Sequence, residues 1–174
     1  MGTQLSRPGD AGRYPANTKS FLSRQIRMRC TTIEIAAKQM RVHDLPAFFV
    51  DVLYNHHRKY GRDLDIYFEP PREFFRLVNE RPEDFPFVDS LIPILEFNYE
   101  CFVCYIPPPH DIFIDHSIER LPSEYHVLAK THDEFAGYQL ERLWEPEFSI
   151  EDLRVSADLL GYANFDSFLS QLRR

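Results

Sequence analysis

Apolar residues recur along the chain with changing periods. From Leu22 the series Leu22, Ile26, Cys30, Ile33, Ala37, Met40 advances in steps of three and four, which keeps one face of a helix apolar. Thr31, Thr32, Ile33 and Ile35 are β-branched and weaken its middle. A second helix is predicted after Asp44 as cap and Pro46 in the first turn; Phe49, Val52, Leu53, His56 and Tyr60 line its face, and Gly61 can close it. Leu64–Phe68 is a short strand candidate stopped by Pro70 and Pro71, and Phe74, Phe75, Leu77 and Val78 then fall on a short helix ending before Pro82.

The centre of the chain changes to strand-like runs. Leu91–Phe97 reads as a strand whose Pro93 suits an edge, Asn98-Tyr99-Glu100 as a turn, and Cys101–Ile106 as a second strand rich in aromatic and β-branched residues. Pro107, Pro108 and Pro109 stop it; Asp111–Asp115 is a third strand and Tyr125–Leu128 a fourth. Such short loops favour antiparallel neighbours. Helical spacing returns with Thr131 and Glu134 at capping-box distance ahead of Ala136, Leu140, Leu143 and Trp144. Ser149 and Asp152 repeat the cap for a helix ending near Gly161, and Asn164 starts a last one carrying Phe165, Phe168, Leu169 and Leu172. Helices, then strands, then helices predict an α+β fold, a mainly antiparallel central sheet with helices packed on it. Residues 1–18 are expected to form a flexible tail, 19–42 a basic helical arm and 43–174 a single α+β domain.

Composition narrows the function. The chain has 174 residues, is 44% hydrophobic and contains 15 Phe but only 6 Gly, so a packed core is expected and a glycine-rich phosphate cradle is not. The net charge of -7 is unevenly spread. Residues 1–42 hold eight basic and two acidic side chains, a net of +6, and the rest of the chain is at -13. An acidic body argues against direct nucleic-acid binding, whose phosphate contacts need clustered Lys and Arg. The simplest role for the basic arm is to pack against that body. The three Cys form no even set and are expected to be free thiols in a reducing, cytoplasmic compartment. No run of 18 apolar residues predicts a transmembrane helix, and the first twenty residues hold no apolar stretch of a secretory signal.

Several residue patterns are candidates for chemistry. Cys101 and Cys104 have Cys-x-x-Cys spacing but lie on a predicted strand, where residues three apart point to opposite faces, so they read as packed thiols. Of the adjacent His56 and His57, the first shares the apolar stripe of its helix and the second is expected to face solvent. His110 with Asp111, and Asp115 with His116, are loop-end pairs of the right types for acid–base or metal chemistry, and would carry the work if the protein were a small enzyme. No Gly-x-Ser-x-Gly or His-Glu-x-x-His occurs. The expected function is therefore non-enzymatic, without cofactor or metal. Glu96, Tyr99, Glu100, Asp111, Asp115 and Glu119 around the central strands are the candidate contact residues for a basic protein partner. The opening Met1-Gly2-Thr3-Gln4-Leu5-Ser6 matches an acylation pattern at Gly2, and the basic arm would supply the second membrane signal; the alternative is thus a membrane-peripheral regulatory or viral adaptor.

The order of elements over residues 45–172 resembles the SMI1/KNR4 (SUKH) superfamily. The resemblance rests on Leu45-Pro46-x-x-Phe49 opening a helix, on Leu91-Ile92-Pro93-Ile94, on the paired strands Cys101–Tyr105 and Ile112–Asp115, and on a terminal helix beginning at Thr131-His132-Asp133-Glu134-Phe135. Asn98-Tyr99-Glu100 stands where that family usually has a Gly-Asp pair. The resemblance implies a non-enzymatic α+β domain. Many bacterial members are immunity proteins that neutralise a cognate toxin, and eukaryotic and viral relatives are regulatory or adaptor modules. An acidic body would suit a basic toxin domain.

Overall fold

A computed structural model of the protein describes residues 28–60, 67–144 and 149–172. The tail and Gly2 lie outside them. Among the described residues there are six α-helices and one four-stranded sheet: α1 (Ile33–Val42), α2 (Ala47–Leu53), α3 (Arg72–Glu80), β1 (Ile92–Phe97), β2 (Cys101–Ile106), β3 (Ile112–Ser117), β4 (His126–Ala129), α4 (His132–Leu143), α5 (Ile150–Leu160) and α6 (Phe165–Leu172). The strands pair in chain order, β1-β2-β3-β4, all antiparallel. The fold is α+β with helices packed on a sheet, as the period changes predict. No helix among the described residues is long and apolar enough to cross a membrane.

The first two strands are buried on both faces. Ile92 to Glu96 and Phe102 to Ile106 are buried without interruption, which explains why these strands read as continuous apolar runs rather than alternating ones. On one face Phe102 meets Phe74 of α3 at 5.6 Å and Phe85 at 5.8 Å. On the other, Phe113 stacks on Phe135 of α4 at 4.1 Å. Phe135 in turn meets Phe49 of α2 at 5.9 Å, tying the first helices to the last. Pro93 sits on the outermost strand beside an irregularity in the β1–β2 register, where its missing N–H does no harm.

Several local expectations are corrected. The helix predicted from Leu22 starts only at Ile33. Its residues up to Arg27 fall outside the described ones, while Thr32 has extended backbone (φ -140°) and caps the helix by accepting from the Ile35 N–H at 3.4 Å. The β-branched pair that weakens a helix interior serves as its start. Asp44 is not a cap; it takes a left-handed φ of 53°, and α2 begins after Pro46. Left-handed Asn55 (φ 59°) then ends that helix at Leu53. The helical phase is lost there, so the two histidines exchange places: His56 is exposed and stacks on Tyr54, while His57 is fully buried at the start of a short 3₁₀ turn. Of the Leu64–Phe68 candidate strand, residues 61–66 lie outside the described ones; Phe68 packs edge-on to Phe48 and Glu69 makes one antiparallel bridge to Glu96. Strand β3 runs to Ser117, two residues beyond its predicted end. Trp144 is 41% exposed, because α4 stops at Leu143 and the tryptophan follows as its C-cap.

The caps of the last helices match expectation more closely. Ser149 and Asp152 form a full capping box on α5, and Gly161 closes that helix in the left-handed conformation, φ 69°. Thr131 caps α4 through the Glu134 N–H, but the Glu134 carboxylate reaches back to the Lys130 N–H. His132 joins the two helices: its Nε2 is 2.8 Å from the Leu160 carbonyl oxygen, so that nitrogen carries the donated proton.

Candidate functional site

The six contact candidates do not share one surface. Strand β2 separates Glu100 from the Pro107 turn by six residues, about 20 Å of extended chain. Tyr99, Glu100 and Glu119 lie at one end of the sheet, where the Ile118 N–H donates to the Glu100 carbonyl oxygen at 3.1 Å. Asp111 lies at the other end. There its carboxylate accepts from the Tyr105 hydroxyl at 2.6 Å, and the His43 ring stands edge-on to Tyr105 at 6.0 Å. Burial pushes the Tyr105 phenol up and the His43 imidazole down, so Tyr105 keeps the proton that it donates to Asp111 and latches the β2–β3 turn. Asp115 is half-buried, 3.9 Å from Arg120.

The histidine–aspartate pairs do not converge either. Asp115 and His116 are neighbours in one strand and point to opposite faces. His116 is fully buried, with Nε2 at 2.8 Å from the Asp84 carbonyl oxygen, and burial holds its pKa below the usual histidine value. His110 is exposed against the Phe87 ring at 4.8 Å. Among the described residues no group of three or more His, Cys, Asp or Glu is placed to hold a metal. Cys30 and Cys104 are buried free thiols; burial pushes Cys30 up to about 12 and Cys104 well above its ordinary value. Cys101 is half-buried on the opposite face of β2.

What the fold does assemble is a polar groove of about 360 Å³ beside the β1–β2 hairpin. Its walls come from three distant segments. Asn55 and Arg58 follow α2, Glu69 to Glu73 lead into α3, and Glu96 and Tyr99 belong to the hairpin. Glu96 is 3% exposed rather than on a solvated rim. Its carboxylate accepts the Glu73 N–H at 2.8 Å, capping α3, while its own N–H donates to the Glu69 carbonyl oxygen at 3.1 Å. Side chain and backbone of one residue thus lock α3 to the edge of the sheet. Burial raises the Glu96 pKa; the α3 N–H groups oppose that shift and the charges of Glu73 and Glu69 add to it.

Tyr99 stands over this groove, 72% exposed. Asn98 and Tyr99 both have left-handed backbone, φ 53° and 62°, as the two central residues of a type I′ hairpin turn require. Asparagine suits the first position, but the second favours glycine, and a bulky aromatic there is unusual. A wider hollow of about 450 Å³ at the α1–α2 corner includes Asp51, whose carboxylate is already held by the Tyr60 hydroxyl at 2.7 Å and by Lys59 at 2.9 Å. The groove residues Asn55, Arg58, Glu69, Arg72 and Glu73 carry no motif in the sequence; the one available signal was an aromatic where a tight turn calls for glycine. Family models, curated proteins and solved structures all return no match to this chain.

Proposed function

We propose that the chain is a non-enzymatic protein-binding module of the SMI1/KNR4 type, acting in the cytoplasm as an immunity-type inhibitor that neutralises a basic toxin domain. The observation that carries this reading is Tyr99. A large aromatic ring is held in solvent, on a rigid hairpin, at a backbone position that disfavours it, beside a groove containing Glu69, Glu73 and Glu96. Exposed, pre-positioned aromatics are the side chains that most often anchor a protein interface. Backbone strain of this kind persists where the surrounding structure enforces it, typically at functional positions. Glu100 and Glu119 at the same end extend the acidic field, and the -13 charge of residues 43–174 would steer a basic partner in. The dispersed histidines and carboxylates of residues 110–116 favour binding over catalysis.

The test is a growth assay. Each protein encoded beside this gene is expressed in a host cell with and without the chain. The expected result is one toxic neighbour whose effect is cancelled by the wild type and not by Tyr99→Ala, with a complex whose association rate falls as salt rises. If no neighbour is toxic, or if toxicity persists beside the wild-type chain, the reading fails.

A further inference from the structure

The two edges of the sheet differ. Among the described residues β1 is closed in part by the Glu69–Glu96 bridge, and its Pro93 offers no N–H to a further strand. β4 pairs with β3 on one side and with no described strand on the other. Such an edge presents backbone donors and acceptors to another chain. Val127 stands on it, 48% exposed. It continues a cross-strand row in which Cys104 and Ile114 are fully buried, so the row ends on an apolar side chain that lacks its next neighbour. Glu124 and Lys130 lie three residues before and three residues after Val127, both exposed and of opposite charge. Neither has an ion-pair partner among the described residues; the Glu124 carboxylate only accepts the Leu121 N–H of its own turn, at 3.4 Å.

We propose that β4 is the contact of a weak, reversible homodimer, in which two copies pair their β4 strands antiparallel about a two-fold axis at Val127 and so make one continuous sheet. In that register Val127 meets Val127 of the partner subunit, Glu124 meets the partner's Lys130, and Lys130 meets the partner's Glu124. The apolar row is completed and both charges are answered by the same surface patch, as a two-fold contact requires. A parallel in-register pairing would set Glu124 against Glu124 and Lys130 against Lys130, so the charges select the two-fold arrangement. A basic or an acidic peptide would answer one of the two charges and repel the other; a second copy answers both. The paired stretch is short, because the β3–β4 register is irregular beside Leu128 and such a bulge twists an edge away from long pairing. The dissociation constant is accordingly expected on the order of 10–100 µM, in the range of small, transient contacts. The Tyr99 hairpin joins β1 and β2 toward the other edge and stays uncovered, so the dimer goes beyond the toxin-binding reading and does not rest on it.

Sedimentation velocity of the full chain from about 1 to 500 µM reads the association directly. A monomer–dimer equilibrium is expected for the wild type. Val127→Lys should weaken it by about tenfold or more, since it sets two like charges at the axis. Glu124→Lys and Lys130→Glu should each weaken it about tenfold for the same reason. The double variant Glu124→Lys/Lys130→Glu should regain wild-type affinity, and an equimolar mixture of the two single variants should form a heterodimer, because both charge pairs are then complementary again. All three positions are exposed, so every variant should melt within about 2 °C of wild type, which separates a lost contact from a lost fold. A wild-type chain that stays monomeric throughout that range, a dimer indifferent to Val127→Lys, or a double variant no better than the single ones would each overturn the proposal.

Discussion

Replacing Tyr99 separates the backbone of the hairpin from its side chain. Tyr99→Ala and Tyr99→Gly both delete the ring, so any contact that the ring makes is lost equally. They differ only in the Cβ, and at φ 62° a Cβ is crowded against the following carbonyl. That crowding costs about 1–2 kcal/mol, and glycine escapes it. Glycine gives back about 0.5–1 kcal/mol because its unfolded chain has more freedom to lose. Glycine should therefore leave the protein more stable than alanine by about 0.5–1 kcal/mol, the reverse of their usual order. For a chain of 174 residues the difference is about 1–4 °C in melting temperature, readable by calorimetry or circular dichroism on the two variants side by side. Both variants should lose partner neutralisation to the same degree. If alanine proves as stable as glycine, position 99 is not left-handed and the argument that the aromatic is retained at a cost collapses. If either variant still neutralises the partner, the ring is not the anchor.

Three further outcomes follow from other parts of the molecule. Ser149→Ala removes the capping box of α5 and should cost about 1 kcal/mol, seen as a lower urea midpoint. With a colorimetric thiol reagent only half-buried Cys101 should react in the native protein, and Cys30 and Cys104 should appear only in denaturant, because burial keeps them as thiols; rapid reaction of all three would contradict their packing. Burial holds the His116 pKa below its ordinary value of 6.5, so the unfolded chain takes up the proton more readily. The stability owed to the neutral ring is intact above pH 6.5 and is lost as pH falls through that value toward the folded pKa. His116→Gln keeps a donor for the Asp84 carbonyl oxygen and should flatten the decline between pH 7 and 5; parallel profiles for the two proteins would refute this role.

The class of fold was open to reading because it depends on short-range patterning. Runs such as Leu91–Phe97 and Cys101–Ile106 can bury themselves only as strands, and the intervening Asn98-Tyr99-Glu100 is too short for anything but a hairpin. The end caps Ser149 and Gly161 act on their own neighbours, so their chemistry is local as well. Misreadings came where two local tendencies competed. Asp44, Asn55 and Asp111 each adopt left-handed backbone, and such single residues end an element and reset the phase of everything after them. That is how His56 and His57 traded burial, and why Asp111 holds a turn while β3 begins at Ile112.

By itself, the order of residues determined the α+β class, the antiparallel neighbours, the positions of most caps and the split between a basic start and an acidic remainder. These rest on periodicity, turn chemistry and charge counts within a few residues. The tertiary structure alone decided which polar groups meet. Asn55, Glu69, Glu73, Glu96 and Tyr99 come from three segments up to 44 positions apart, and nothing in their local spacing marks them as walls of one groove. It also decided that Glu96 is buried under the first turn of α3 instead of standing at a solvated rim, because desolvation depends on what packs across a strand edge and not on the strand's own sequence.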